Sequence, residues 1–359
     1  MNAARPSSPT NDTPAGPRGT VQDRLSMLLF GHAAFQYLRA GCELGLFATL
    51  RETPGLDRAE LMEKLKLEDR PIDVLLRAAR ALELVERDGE TYRNSPLVST
   101  LMDRGEWDAF EAAVGFEANL NYPGLADLTE SLEKNTNVGL RRIPGDGTTL
   151  YHRLTENEDL GQVFFRYMHA WSEMVNRHLV DLVDFRKFDR LLDVGGGDGV
   201  NAVAIASAFP HLNVTVLELS DVVPRTREVI SKAGLGDRVH AIGGDMFVEL
   251  PAGHDCMLFM HQVQIWPLEK NVELFRGAYA ALPSGGAAII TNSISDDSGD
   301  GALYTALDSA YFAAVPGGGG TVYTWNQLEN CLREAGFEKI ERVRPEQAWT
   351  PLGIIVATK

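Results

Sequence analysis

The sequence predicts an α/β protein whose carboxyl-terminal part is a doubly wound, mostly parallel sheet, preceded by a mainly helical amino-terminal part. Beyond residue 190, short apolar runs alternate with amphipathic segments, as in βαβ units, and the first run ends in three glycines. Between residues 21 and 101, apolar residues recur at helical spacing instead. The predicted strands are Leu191–Val194, Val214–Leu219, Val239–Ile242, Cys256–Met260, Ala287–Asn292, Lys339–Val343 and Gly353–Thr358.

The amino-terminal helical pattern ends in a predicted hairpin. An apolar helix over 25–38 is expected to continue through Ala40–Leu50, and further helices are predicted at Arg58–Leu65 and Ile72–Leu82. The segment Leu84–Tyr92 contains an Asp-Gly pair that is typical of a hairpin turn. Two helices followed by a hairpin predict a winged-helix-like unit.

Chain length favours more than one domain, because 359 residues exceed the usual size of a single core. We expect a disordered tail over 1–20 and a winged-helix-like dimerisation domain over 21–103. A helical connector that covers the substrate is expected over 104–185. The ligand-binding α/β domain is expected over 186–359.

Charge and cysteine content restrict the partners. A net charge of −16 argues against binding to nucleic acid or to anionic membranes, and the predicted recognition helix carries only Arg77 and Arg80. The winged helix is therefore expected to serve homodimer formation rather than DNA binding. Cys42, Cys256 and Cys331 are far apart and lack metal-ligand spacing, so we expect reduced thiols in a cytoplasmic protein with no metal site.

Acidic side chains follow three neighbouring strands. Asp193 precedes the glycine loop, Glu218 ends the next strand and can bind ribose hydroxyls, and Asp245 can accept from an adenine amine. No Lys follows the glycines as in a phosphate loop, so S-adenosylmethionine is favoured over the alternative, an NAD site. The predicted cofactor residues are Asp193, Gly195, Gly197, Glu218, Leu219, Asp245, Met246, Phe247 and His261.

From about residue 21 onward the chain resembles the two-domain S-adenosylmethionine-dependent O-methyltransferases of plant phenolics and bacterial polyketides. The resemblance rests on the motif LLDVGGGDG, on Glu218 and GGDMF, on ALPSGG at Ala281–Gly286 and on LREAGF at Leu332–Phe337. It implies a Rossmann-like class I methyltransferase domain, a homodimer and a small aromatic substrate.

The segment His261–Trp266 departs from this family. Members typically read HVLHDW, where the second His removes the phenol proton, whereas this chain reads HQVQIW, with Gln264 at that position. Asn292 stands where an orienting Glu is usual. An amide cannot take a proton near pH 7, but it can orient a phenol. This combination favours methylation of a ring carbon over methylation of oxygen.

The surrounding segments resemble bacterial natural-product C-methyltransferases that act on tyrosine-derived or 3-hydroxykynurenine-type substrates. The resemblance implies a phenol that carries an amino-acid end. The alternative is an enzyme of the same fold that binds the cofactor without transferring a methyl group, such as a hydroxylase, decarboxylase or cyclase.

The remaining candidates concern catalysis and substrate binding. His261, Gln264 and Asn292 are the catalytic candidates, because His261 is the nearest group that titrates near neutral pH; alternatively, it packs against the methionine moiety. Asp308, Tyr311 and Phe312 share a helix face that can clamp an aromatic amino acid, or the Asp faces solvent. The substrate candidates are Met168, His169, Trp171, Trp266, Asp308, Tyr311 and Phe312.

Overall fold

The computed structural model describes residues 19–346, 348 and 350–359, which form two compact units that divide after Trp107. Most of the tail predicted over 1–20 lies outside the described residues. Thr20 is described and caps the first helix, because its hydroxyl accepts from the Asp23 backbone while the Asp23 carboxylate accepts from the Thr20 backbone. The predicted four-part division stays a prediction.

The first unit has the predicted winged-helix arrangement. Its three short strands lie in the order β1-β3-β2, and both pairs are antiparallel. The strand β1 was not predicted, because two residues carry no periodicity. The elements are α1 (Val21–Glu43), α2 (Leu46–Glu52), β1 (Leu56–Asp57), α3 (Arg58–Leu65), α4 (Asp69–Ala81), β2 (Val85–Asp88), β3 (Thr91–Asn94) and α5 (Pro96–Asp103).

The expectation that the first helix continues through residues 40–50 is wrong. Gly45 has a φ of +74°, which ends α1 and positions the start of α2. Glycine adopts this left-handed conformation without the steric cost that other residues bear. Apolar residues keep their helical spacing across this break, so the sequence pattern does not reveal it.

Residues 107–187 are mainly helical. A π-helical turn, Glu117–Asn121, follows α6, and short 3₁₀ turns occupy Val138–Arg142 and Phe185–Lys187. The α-helices are α6 (Trp107–Phe116), α7 (Tyr122–Leu125), α8 (Leu128–Lys134), α9 (Leu150–Glu156) and α10 (Glu158–Leu182).

A sheet of seven described strands, in the order β6-β5-β4-β7-β8-β10-β9, forms the centre of the second unit. All pairs are parallel except those of β10, so the predicted doubly wound, mostly parallel sheet is confirmed. The strands are β4 (Arg190–Val194), β5 (Asn213–Glu218), β6 (Val239–Gly243), β7 (Cys256–Met260), β8 (Ala287–Ser293), β9 (Lys339–Val343) and β10 (Leu352–Thr358). The helices between them are α11 (Val200–Ala208), α12 (Val223–Lys232), α13 (Leu268–Ala281), α14 (Leu303–Ala314) and α15 (Trp325–Ala335).

Two apolar layers enclose this sheet. Leu191 and Ile289 pack into one layer, whereas Leu192 and Ile290 pack into the other, because side chains alternate along a strand. The chain order reverses at β4, which lies between β5 and β7. In open α/β sheets a ligand binds at such a switch point, outside the carboxyl ends of the strands.

Candidate active site

The glycine loop leaves β4 in a conformation that requires glycine. Gly195 and Gly197 have φ values of +65° and +58°. A Cβ at Gly196 would lie 2.5 Å from Oδ2 of Asp193, so a larger residue there would push the loop off its strand. The loop backbone therefore lies open to a ligand at the carboxyl end of β4.

Glu218, at the end of β5, holds this loop. Its Oε2 accepts from the backbone N–H of Gly197 at 2.9 Å, and its Oε1 accepts from that of Leu219 at 2.7 Å. Burial raises the pKa of Glu218, although both backbone donors oppose the shift. A carboxylate has about four acceptor positions, so two remain for the hydroxyls of a ribose.

A cavity of about 260 Å³ lies over the loop. None of its described lining residues is Lys or Arg, which fits a nucleoside without phosphate better than it fits NAD. Met246 and Phe247 offer apolar surfaces for an adenine ring, and Glu218 offers ribose acceptors, so the residues fit S-adenosylmethionine. The predicted cofactor residues that line it are Gly195, Gly197, Glu218, Leu219, Asp245, Met246, Phe247 and His261.

Asp193 is the cofactor candidate that does not line this cavity. It is fully buried below the loop, and neither carboxyl oxygen has a hydrogen-bond partner among the described residues. Burial, together with the nearby carboxylates of Glu218 and Asp198, raises the pKa of Asp193 to about 7. Its position suits support of the loop from beneath.

His261 follows the last residue of β7 in a strained conformation. Its φ is +57°, which is uncommon for a residue other than glycine, and its backbone N–H donates to Thr291 at 3.0 Å. Its Nε2 is buried and has no partner in the described part of the chain. Burial lowers the pKa of His261 to about 4, so the imidazole is neutral at neutral pH.

Gln264 and Asn292 are both buried near this strand end. The Nε2 of Gln264 donates to the carbonyl oxygen of Ser293. Asn292 is fully buried, and neither amide atom has a partner within the described residues. Gln264 lines a second cavity with Ser293, and Asn292 is not among the residues that line it.

This second cavity, of about 60 Å³, adjoins the cofactor cavity, and His261, Phe164 and Met168 line both. The predicted substrate residues that line it are Met168, Trp171, Asp308, Tyr311 and Phe312. The other two lie elsewhere: Trp266 lines the cofactor cavity against Phe247, and His169 pairs with Asp198 of the glycine loop.

Aromatic residues that the sequence did not single out complete the small cavity. Tyr304 stacks on Trp171, with ring centroids 6.2 Å apart, and Phe116 stacks on Tyr167 at 4.4 Å. Phe164, Tyr167, Met168 and Trp171 recur at helical spacing on α10, a signal that could have identified this wall. These flat faces suit a planar aromatic ring.

The glycine run 317–320 supports the same region. This supporting role was not predicted from the sequence. A Cβ at Gly318 or Gly320 would meet the backbone of Ile265 or Gln264. The run therefore packs directly on the segment that carries Gln264. Four consecutive glycines are the sequence signal that could have identified this close packing.

Comparison with known proteins gives two family matches. An O-methyltransferase domain matches residues 126–338, and an O-methyltransferase dimerisation domain matches residues 26–104. None of the helices that the structure describes is long and apolar enough to span a bilayer.

Individual relatives cover nearly the whole chain. L-Tyrosine C(3)-methyltransferase of Streptomyces lavendulae is 44% identical over 98% of this chain and 97% of its own length. 3-Hydroxy-5-methyl-1-naphthoate 3-O-methyltransferase of Streptomyces sahachiroi is 30% identical over 86% and 87%. The apo structure of SibL, an S-adenosylmethionine-dependent methyltransferase, superimposes with a TM-score of 0.82 at 42% identity, covering 94% of this chain and 98% of SibL.

These matches confirm the resemblance inferred from the sequence motifs. They also agree with a cavity suited to an adenosyl group without phosphate. The chain belongs to the O-methyltransferase family and is an S-adenosylmethionine-dependent methyltransferase.

Proposed function

We propose that this enzyme methylates a ring carbon of a tyrosine-like phenol in natural-product biosynthesis. The observation that carries the proposal is Gln264, a buried amide beside the small cavity where the family usually has a basic histidine. The 44% identity to an enzyme named for tyrosine C(3)-methylation supports the same acceptor. Gln264 can orient a phenol but cannot remove its proton at neutral pH.

In this proposal Glu218 binds the ribose hydroxyls, Asp245 accepts from the adenine amine, and Met246 and Phe247 cover the adenine ring. Asp193 supports the loop whose glycines approach the cofactor. When bound, S-adenosylmethionine supplies an electrophilic methyl group on its sulfonium. The chain itself positions the acceptor.

His261 lies where the two cavities adjoin. Its imidazole is neutral at pH 7, so its unpartnered Nε2 can accept a hydrogen bond from the phenolic O–H. This bond keeps the proton on oxygen and turns the oxygen away from the methyl donor. The ring carbon beside the oxygen is then the nucleophile: its bond to the methyl group would form as the methyl–sulfur bond breaks and leaves a thioether, and the ring proton would pass afterwards to solvent water as the ring regains aromaticity.

The aromatic walls hold the ring in place. Trp171 and Tyr304 form one stacked pair, and Tyr311 and Phe312 contribute a wall from α14. Positioning of this kind accounts for roughly 7–11 kcal/mol of barrier lowering in well-oriented reactions. Orientation can therefore compensate for the absence of a strong base.

Two copies of the chain are proposed to pair through the first unit. The dimerisation-domain match covers residues 26–104, and α1 exposes a row of large apolar side chains. These side chains are Val21, Leu25, Met27, Leu28, Leu29 and Phe30, which are 52–84% exposed in one chain. Burying such a patch is the usual explanation for its presence on a folded protein.

The experiment is a reaction of the purified enzyme with L-tyrosine and methyl-labelled S-adenosylmethionine. We expect a product that carries one labelled methyl group, resists ether cleavage and has lost one ring proton in the NMR spectrum. A labelled aryl ether would overturn the choice of carbon. Conversion of a phenol to an unmethylated product, without consumption of the cofactor, would favour the non-methylating alternative.

A further inference from the structure

The small cavity contains a carboxylate with no counter-ion. Asp308 lines it from α14, and none of the other described lining residues is Lys or Arg. His261 lines the same cavity, but its lowered pKa leaves it uncharged at neutral pH. Asp308 therefore has no positive partner within the cavity wall.

A second carboxylate lies close to the first. Glu117 begins the π-helical turn after α6, directly beyond the lining residue Phe116, and its Oε2 accepts from Nδ2 of Asn121 at 2.8 Å. Burial raises the pKa of Glu117 and of Asp308, and the charge of Glu117 adds to the shift of Asp308. Turns of this π-helical type are frequent at functional sites.

Tyrosine rings surround both acids. Burial raises the pKa of both Tyr304 and Tyr167, and the charges of Asp308 and Glu117 add to each shift. Both tyrosines line the small cavity. Asp308 lines it from α14, whereas Glu117 follows the lining residue Phe116 at the start of the π-helical turn and acts from behind the cavity wall. Two half-buried carboxylates without a cation are costly unless a proton or a ligand neutralises them.

A primary ammonium group fits this arrangement. It donates three hydrogen bonds, and the faces of Tyr304, Tyr167 and Trp171 favour a cation near them. No group of three or more possible metal ligands occurs among the described residues, which disfavours a metal ion here. The buried, unpartnered Nε2 of His261 in the same wall independently indicates a polar ligand in this cavity.

We propose that Asp308 and Glu117 form an ammonium subsite, so that the enzyme selects phenols that carry a primary amine. This inference rests on the proposed function, because it assumes that the small cavity holds the acceptor. Asp308 contacts the ammonium group, and Glu117 adds negative charge from behind it. Neutral phenols and phenolic acids without an amine leave both carboxylates uncompensated.

The test measures binding without turnover. The enzyme is saturated with S-adenosylhomocysteine and titrated with two matched pairs, L-tyrosine against desaminotyrosine and tyramine against tyrosol. Desaminotyrosine lacks the amine of L-tyrosine, and tyrosol has a hydroxyl in place of the amine of tyramine. We expect the amine-bearing member to bind about tenfold tighter or more, as for a charge-assisted contact. Equal affinity within both pairs would overturn the subsite.

The variants Asp308→Asn and Glu117→Gln should each reduce this preference severalfold while keeping side-chain size. Glu111→Gln is the matched control, because Glu111 lies on α6 but pairs with Arg166 at 3.2 Å. S-Adenosylhomocysteine affinity reports whether each variant is folded. A preference that survives in both folded variants would assign the selection to other residues.

A measurement on the unaltered enzyme covers the case in which a variant fails to fold. Burial and the charge of Glu117 raise the pKa of Asp308 to about 7, so this carboxyl is largely protonated in the free enzyme at pH 6. Ammonium binding should ionise it, so tyramine should release protons and tyrosol should not. Titration in buffers of different ionisation enthalpy measures this difference. Equal proton release from both would contradict the proposal. Binding selectivity is independent of which atom is methylated, so its failure is distinguishable from failure of the proposed function.

Discussion

Nδ1 of His169 lies 2.6 Å from Oδ2 of Asp198, which connects helix α10 to the glycine loop. Asp198 is nearly buried, and its other oxygen accepts from the backbone N–H of Val200, the first residue of α11. The pair joins the helix that carries Met168 and Trp171 to the loop that lines the cofactor cavity. The His169–Asp198 pair therefore connects the wall of the substrate cavity to the cofactor loop.

Replacing His169 with Gln should destabilise the enzyme in acid more than in base. The Asp198 carboxylate raises the pKa of His169 above its ordinary value, so the charged pair stabilises the fold below pH 6.5. This stabilisation is lost as the pH rises through the raised pKa. Because the side chain is partly exposed, we expect a difference of about 1 kcal/mol at pH 6.

Thermal unfolding at pH 6 and pH 9 checks this, with His178→Gln on the same helix as the control. The difference from the unaltered enzyme should vanish at pH 9. An equal loss at both pH values would mean that His169 acts through packing alone.

Glu218→Ala should weaken S-adenosylhomocysteine binding by about ten- to a hundredfold, since charge-assisted hydrogen bonds contribute roughly 1.5–3 kcal/mol. The backbone N–H groups of Gly197 and Leu219 would also lose their acceptor. Glu218→Gln should have a smaller effect, because its amide oxygen can replace one of the two acceptors. Calorimetry measures this, with the exposed Glu249→Gln as control. Unchanged affinity in the alanine variant would remove Glu218 from the cofactor site.

Features that depend on the local sequence pattern could be predicted, whereas contacts that depend on tertiary packing could not. The seven strands of the large sheet lie within one residue of their predicted ends. For the buried parallel strands, such as β4 and β7, the ends could be predicted because these strands are apolar runs next to Gly or Asp. Glu218 could be placed because strand ends meet at one edge of a sheet. Tyr304 and Phe116 could not, because only the packing of α14 and α6 brings them to Trp171 and Tyr167.

Gly320→Ala should reduce methyl transfer more than it reduces stability. The added Cβ would meet the carbonyl oxygen of Gln264 and displace the segment that carries its side chain. Overpacking of this kind costs about 1–3 kcal/mol. Gly236→Ala is the control, because its added Cβ would meet open space. Turnover number and unfolding temperature measure both effects, and normal turnover in a folded Gly320→Ala enzyme would contradict the supporting role.

The double variant Gln264→His, Asn292→Glu should gain O-methylation. It restores the base and the acid that this family usually has. The amide of Asn292 is buried without a partner among the described residues, so a carboxylate in its place would need the new histidine as its partner. Asn292→Glu alone should destabilise the fold, because it buries an unpaired charge. Mass spectrometry after ether cleavage separates the products. A double variant that is folded, methylates carbon and forms no ether would show that the amides do not decide the acceptor atom.

Asp193→Asn should make the cofactor-free enzyme more stable, and the gain should grow with pH. The pKa of Asp193 is raised to about 7 in the folded chain, so the folded state retains a proton that the unfolded state releases above about pH 4. Between these values stability falls as the pH rises, by at most about 1.4 kcal/mol per pH unit for one group. The asparagine variant lacks this loss, so its advantage in unfolding free energy should rise from pH 5 to pH 7 and then level off. Asp221→Asn, at an exposed position after β5, controls for the removal of one negative charge. An advantage that stays constant with pH would mean that the pKa of Asp193 is not raised in the folded chain.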